Sequence, residues 1–325
     1  MDVLANVFGA PQTNLDPAQF IGIPFALVGA VLMSIGAQMQ HAGVGKVESK
    51  VVVDNNQSAL NGKQLAALMA RPSWLFGTMF LGLAIVFQLV SLAFSPIMVV
   101  QPIGAVALVI TAILNSRVSK VKLNRSSIIA IAMCVGGIGL FVTVAAFTAR
   151  NAPVQESDLI QILVVLGFIL LIFAGLYIFV MRNHPVALFY IIGAGVLYGF
   201  VATLAKAVEA RLIQHQMDTL IWVCLGALII AAIVGGLFVQ NAYSSGPPDL
   251  VIAGLTVIDP LVAVCIGIVI LDEAAQSPVW AVIVYVVTGL IAVAGVILMS
   301  MAHPQAKGET GDIPVVEGGT ADSSK

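Results

Sequence analysis

Apolar runs of roughly 20 residues, parted by short polar breaks, fill the chain from Phe20 to Ala302. Each run is long enough to cross a ~30 Å hydrocarbon core as a helix at 1.5 Å per residue. A transmembrane barrel would need segments of roughly 10 residues that alternate apolar and polar positions, and these runs do not alternate. The pattern predicts nine helical spans, at 20–41, 73–95, 97–116, 127–148, 158–181, 185–206, 218–240, 249–271 and 277–302. The breaks fall at Arg71-Pro72, Ser95-Pro96, Arg117 to Lys122, Arg150 to Asp158, Arg182 to Pro185, Ser244 to Pro248 and Asp272 to Pro278. Residues 42–72 read as a loop carrying a short interfacial helix over Leu60 to Ala70. Residues 1–19 read as a short extracytoplasmic N-terminus, and the Gly-, Thr- and Ser-rich 303–325 as a disordered cytoplasmic tail.

Composition explains why lipid is the required solvent. The chain is 60% hydrophobic and 9% charged, with a mean hydropathy of +1.05, whereas soluble domains carry about 25% charged residues. In hydrocarbon every backbone polar group must be satisfied internally, which leaves an all-α bundle. The net charge of −2 is uninformative about nucleic acid, but no basic patch or zinc spacing appears, so no nucleic-acid partner is expected. Cys134, Cys224 and Cys265 stand singly in apolar runs and read as packing residues. The first 19 residues hold no Lys or Arg and two Asp, unlike the n-region of a cleavable signal, so the first helix is expected to be retained.

An odd number of spans puts the termini on opposite sides, and the basic residues choose between the two orientations. With the N-terminus outside, Lys46, Lys50, Lys63, Arg71, Arg117, Lys120, Lys122, Arg125, Arg182, Lys307 and Lys325 are cytoplasmic. Arg150, Lys206 and Arg211 are then outside, a split of 11 to 3 among the 14 basic residues. Trp74, Trp222 and Trp280 sit near span starts, where amphipathic rings settle at headgroups. The expected location is the plasma (inner) membrane, N-out and C-in. Small residues at helical spacing (Gly22, Gly29, Gly36; Gly77, Ala84, Ser91; Gly195, Gly199) read as close-packing seams.

Val99-Val100-Gln101-Pro102-Ile103-Gly104-Ala105-Val106 in the third span resembles Val257-Ile258-Asp259-Pro260-Leu261-Val262-Ala263-Val264 in the eighth. An offset of five spans is odd, so the two copies point in opposite directions. Inverted repeats of this kind place a transporter's substrate site near midplane, where the halves meet. On this reading the halves are 20–148 (spans one to four) and 149–302 (spans five to nine). Pro102 and Pro260 each remove a helical hydrogen bond and predict a kink. Asp259 lies near the centre of its span, where an ionised carboxylate costs at least ~2.5–3.5 kcal/mol. An unpaired acid there suits reversible protonation or cation binding, against the plainer reading of a structural carboxyl bonded to a neighbouring helix. Its counterpart Gln101 is neutral.

Further polar candidates are Ser34, Gln38 and His41 on one face of the first span, Gln88 and Ser91 in the second and Asn115 in the third. Tyr198 and Thr203 in the sixth and Gln240 with Asn241 in the seventh complete the set. Any one of them alone is read as a bridge between helices; together they are candidates to line a substrate path. Asp272, Glu273, Lys206 and Glu209 lie at predicted span ends and are expected to face water or headgroups, with a structural role as the alternative for Glu273. No HExxH, Ser-His-Asp set or acidic ligand cluster is visible, so no enzyme activity and no cofactor are expected.

From about Pro72 to Ala302 the chain resembles the drug/metabolite transporter superfamily, in its EamA-type and NIPA-like branch. The residues that carry this are Arg71-Pro72-Ser73-Trp74, Leu92-Ala93-Phe94-Ser95-Pro96 through Gln101-Pro102-Ile103-Gly104-Ala105, and Ala112-Ile113-Leu114-Asn115-Ser116. In the second half they are Gln240-Asn241-Ala242-Tyr243, Asp259-Pro260 and Leu271-Asp272-Glu273. The resemblance implies two inverted halves, with one span of the usual ten missing from the first half as in NIPA-like members. It implies transport of a small molecule or ion; on the midplane argument above, that transport is expected to proceed by alternating access with Asp259 as the candidate coupling group. It leaves two alternatives: a magnesium carrier, for which Asp259 is a thin supply of oxygen ligands, and a membrane scaffold that transports nothing. The expected partners are the bilayer, the unidentified substrate and a second copy of the chain.

Overall fold

The computed structural model describes residues 20–51, 72–118, 125–151, 153–178, 187–245 and 248–302. The predicted helix over 60–70, the N-terminal segment and the tail lie outside these residues. Ten helices are described: α1 (Gly22–Val51), α2 (Pro72–Phe94), α3 (Ile97–Gly104), α4 (Val106–Val118), α5 (Arg125–Thr148), α6 (Glu156–Leu176), α7 (Ala187–Ile213), α8 (Thr219–Ser245), α9 (Pro248–Val269) and α10 (Val279–Ala302). Because α3 and α4 together make one crossing, these supply nine helical segments long and apolar enough to span a membrane. The protein is an all-α, multi-pass membrane protein.

Three boundaries differ from the sequence pattern. Helix α1 continues to Val51: Gly43 and Gly45 weaken a helix, but no proline interrupts it, and its charges end the apolar run without ending the helix. Helix α7 continues to Ile213 and α8 to Ser245, beyond the predicted ends at 206 and 240. The two prolines also behave differently. The third span breaks just after Pro102, with Ala105 as a turn residue between α3 and α4, whereas α9 runs through Pro260 as one helix.

The small-residue seams set the register. Gly22, Gly29 and Gly36 of α1 abut Ser95, Ala84 and Gly77, so α1 and α2 lie antiparallel with backbones in near contact. Gly195 and Gly199 of α7 abut Ile258 and Val262 of α9, which makes those two helices parallel. Ile97 meets Gly267, while Pro102 and Pro260 line one cavity, so α3 and α9 run antiparallel. Gly137 of α5 abuts Ala292 of α10, and Gly295 abuts Cys134, giving a second antiparallel pair.

These neighbours obey the five-span offset. The pairing of α1 with α2 is matched by that of α7 with α8, and α1 against α3–α4 is matched by α7 against α9. The counterpart spans themselves, α3 with α9 and α5 with α10, meet antiparallel, as an inverted repeat demands. Helix α6 has no counterpart in the first half and sits at the periphery, with Val164, Phe168 and Leu171 exposed. Ser34 fastens α1 to the broken span by donating to the Ala107 carbonyl at 2.8 Å, and Ser91 donates to the Gly22 carbonyl at 2.7 Å.

Candidate functional site

Asp259 stands midway along the 22-residue α9. Its backbone lies against the Gly195 and Gly199 positions of α7, where absent side chains let the two helices approach. Its Oδ1 atom is buried and has no hydrogen-bond partner among the described residues. Tyr198, one residue before Gly199, lies within electrostatic reach of this carboxyl, and its ring packs on Gly235 of α8. A carboxyl oxygen buried without a partner in an apolar span carries an uncompensated desolvation cost.

On the other side of α9 is a cavity of about 320 Å³. Pro102 and Ala105 from the broken span, Phe141 from α5, Pro260 from α9 and Tyr285 from α10 contribute to its wall. Both repeat prolines therefore meet at one void, between the halves. Pro260 has no N–H to offer the Thr256 carbonyl one turn earlier, and Thr256 belongs to the same wall. The rest is almost wholly apolar, and Leu261, Val286 and Leu290 at its margin are exposed on the bundle's outer surface. Above it the Tyr285 hydroxyl bonds the Thr148 hydroxyl, and the Ser277 hydroxyl donates to the Thr148 carbonyl at 3.0 Å.

A second polar centre lies beside α7, about two turns before its end, near where α2, α5 and α9 end. Glu273 is 1% exposed and Lys206 4%, and their Oε1 and Nζ atoms are 2.6 Å apart. The same carboxylate accepts the N–H of Ile97 at 2.7 Å and of Met98 at 2.9 Å, the first two residues of α3. Those donors have no intrahelical acceptor, and Pro96 before them has no side-chain acceptor to give, so the second half of the chain caps a helix of the first. Lys206 also donates to the Ser95 carbonyl at 3.3 Å. The turn that aims Glu273 inward passes through Asp272 in the left-handed region (φ 53°), which Asp tolerates better than most residues. It is closed by Glu273 N–H to Gly267 O at 3.0 Å and Arg150 N–H to Glu273 O at 2.8 Å.

This centre corrects the expectation that Lys206 and Glu273 face water or headgroups. With α7 extended to Ile213, Lys206 is a helix-interior residue facing the bundle rather than a terminal one. Asp272 is exposed as expected. Glu209, one turn beyond Lys206, is half-buried, and its Oε2 has no hydrogen-bond partner among the described residues. Arg211 is engaged with Asp218 at 3.2 Å.

The other predicted residues separate into four groups. Gln101 is 6% exposed in α3, and Gln38, Gln88 and Tyr198 are half-buried. Gln240 and Asn241 are exposed near the end of α8, where Asn241 donates to its own helix at Leu237. The side chains of His41 and Asn115 lie outside the described residues. Ser34, Ser91 and Thr203 are spent on helix carbonyls. No cluster of three or more His, Cys, Asp or Glu residues occurs among the described residues.

No family model matches the chain, and no solved structure matches it. Over 302 residues it is 24% identical to an uncharacterised protein of Corynebacterium glutamicum, in an alignment covering 91% of this chain and 99% of that relative. The relationship is distant and extends over most of the chain.

Proposed function

We propose that the protein is a secondary transporter of the drug/metabolite transporter superfamily, moving a small molecule or ion across the plasma membrane by alternating access. The observation that carries this reading is the meeting of the inverted segments: Pro102 and Pro260 at one cavity, with the unpartnered Asp259 carboxyl on the adjoining face of α9. A packed bundle with no moving task would fill the void and pair the acid. Asp259 serves as the coupling group, taking up a proton or cation on one side and releasing it on the other. The bundle sits N-out and C-in, so the Lys206–Glu273 end is extracytoplasmic.

The magnesium alternative is less well supported, because a hard cation calls for several oxygen ligands and Asp259 belongs to no cluster of three or more His, Cys, Asp or Glu among the described residues. Metabolite and ion profiling of a deletion strain, its parent, and strains restored with wild type or Asp259→Asn tests the reading without presuming a substrate. One compound or ion should change on deletion and return with wild type, but not with Asp259→Asn at equal membrane abundance. Unchanged profiles, with the protein instead held in a stable complex, would favour a scaffold.

A further inference from the structure

Lys206 has two carboxylates within reach but uses one of them. Glu273 holds it in a buried ion pair at 2.6 Å. Glu209, three residues on along the same face of α7, keeps a buried oxygen without a partner. Arg211 is bonded to Asp218 through Nη2, and its Nε, also without a partner among the described residues, makes no bond to Glu209. A flexible lysine stem can carry the ammonium from one acceptor to another on its own helix.

We propose that Lys206 is a two-position latch at this end of the bundle. It binds Glu273 when the end is closed and Glu209 when it opens. The inference rests on the transport reading above, since only a protein that alternates needs the second position. In the closed state Glu273 ties α7, the Ser95–Pro96 turn and the start of α3 to the turn after α9. Opening must part these elements, and a lysine left in a dry cleft without a counter-ion would oppose it. Glu209 removes that obstacle because it travels with Lys206 on α7. Its unpartnered oxygen in the closed state is then the vacant seat of the open state.

The test is the sign of two neutralisations. Ser95→Cys places a thiol at the buried turn, and its labelling by a membrane-impermeant maleimide in intact cells or sealed vesicles reports opening; the parent protein sets the background from Cys134, Cys224 and Cys265. In that background Glu273→Gln should raise the labelling rate at least tenfold, and Glu209→Gln should lower it at least threefold. Amide hydrogen exchange at Ile97 and Met98 in the otherwise unaltered protein should move in the same two directions, without dependence on the reporter cysteine. Glu209→Gln that leaves both rates unchanged, or raises both, overturns the latch. Opposite signs in a protein that moves no solute uphold the two positions and overturn the transport reading instead. Transport with identical labelling in all variants does the reverse.

Discussion

Replacing Glu273 with Ala removes, from a site 1% exposed, the acceptor of three donors: Lys206 Nζ and the N–H groups of Ile97 and Met98. Loss of a helix N-cap alone costs about 0.5–2 kcal/mol. Removing one member of a buried ion pair costs about 3–5 kcal/mol, because the other charge is left without compensation. Solvent does little to screen this pair, with both partners almost fully enclosed, so the larger range sets the upper limit; Glu209, within reach of the ammonium, offsets part of the lost compensation. Lys206→Met should cost less than Glu273→Ala. It leaves a carboxylate that keeps both backbone donors, whereas Glu273→Ala leaves the N–H groups of Ile97 and Met98 without their acceptor. Lys206→Met with Glu273→Gln should recover part of the loss, since a neutral pair of similar shape is often no worse than the ions. Denaturant unfolding of the purified protein in detergent, followed by tryptophan fluorescence, measures each value, and the double-mutant cycle isolates the pair. A loss below about 1 kcal/mol for Glu273→Ala is what an exposed surface pair gives, and would refute the reasoning.

Two further outcomes follow from packing and charge. Gly137→Ala would put a Cβ 2.7 Å from the Ala292 backbone nitrogen, against atoms that cannot turn aside, whereas Gly139→Ala meets nothing within 4 Å. The first should destabilise by about 1–3 kcal/mol and the second should be neutral or slightly stabilising, in the same unfolding assay. Burial of Lys206 and Arg211 removes two of the three outer basic residues from contact with headgroups, which leaves the charge asymmetry steeper. A C-terminal green fluorescent protein fusion should therefore fluoresce and an alkaline phosphatase fusion should be inactive; the opposite pair of results would invert the topology.

The bundle was legible because burial in lipid writes itself locally: each span is a run of apolar residues, and its ends are charges or prolines. The heptad spacing of Gly22, Gly29 and Gly36 likewise announced a seam, although not that Gly77, Ala84 and Ser95 would face it. The inverted relation of Gln101-Pro102 to Asp259-Pro260 was readable from an odd count of spans. The Lys206–Glu273 pair was not, because it joins residues 67 apart in sequence, and because a charge cuts the apparent apolar run before the helix ends. Ala207, Val208, Leu212 and Ile213 carry the signal that α7 continues, and with it that Lys206 is enclosed. Gln240 and Asn241 show the opposite error in kind: their amides look like site groups in sequence, but helix rotation turns them outward.

The most direct test of the account is gradient-driven flux through reconstituted vesicles, using the compound or ion that metabolite profiling identifies. Wild type should accumulate it against its own gradient when a pH or cation gradient is imposed. Asp259→Asn should still exchange it across the membrane at equilibrium but fail to accumulate it. Accumulation by Asp259→Asn equal to wild type, in a protein shown to be folded, would contradict the role of the midplane acid.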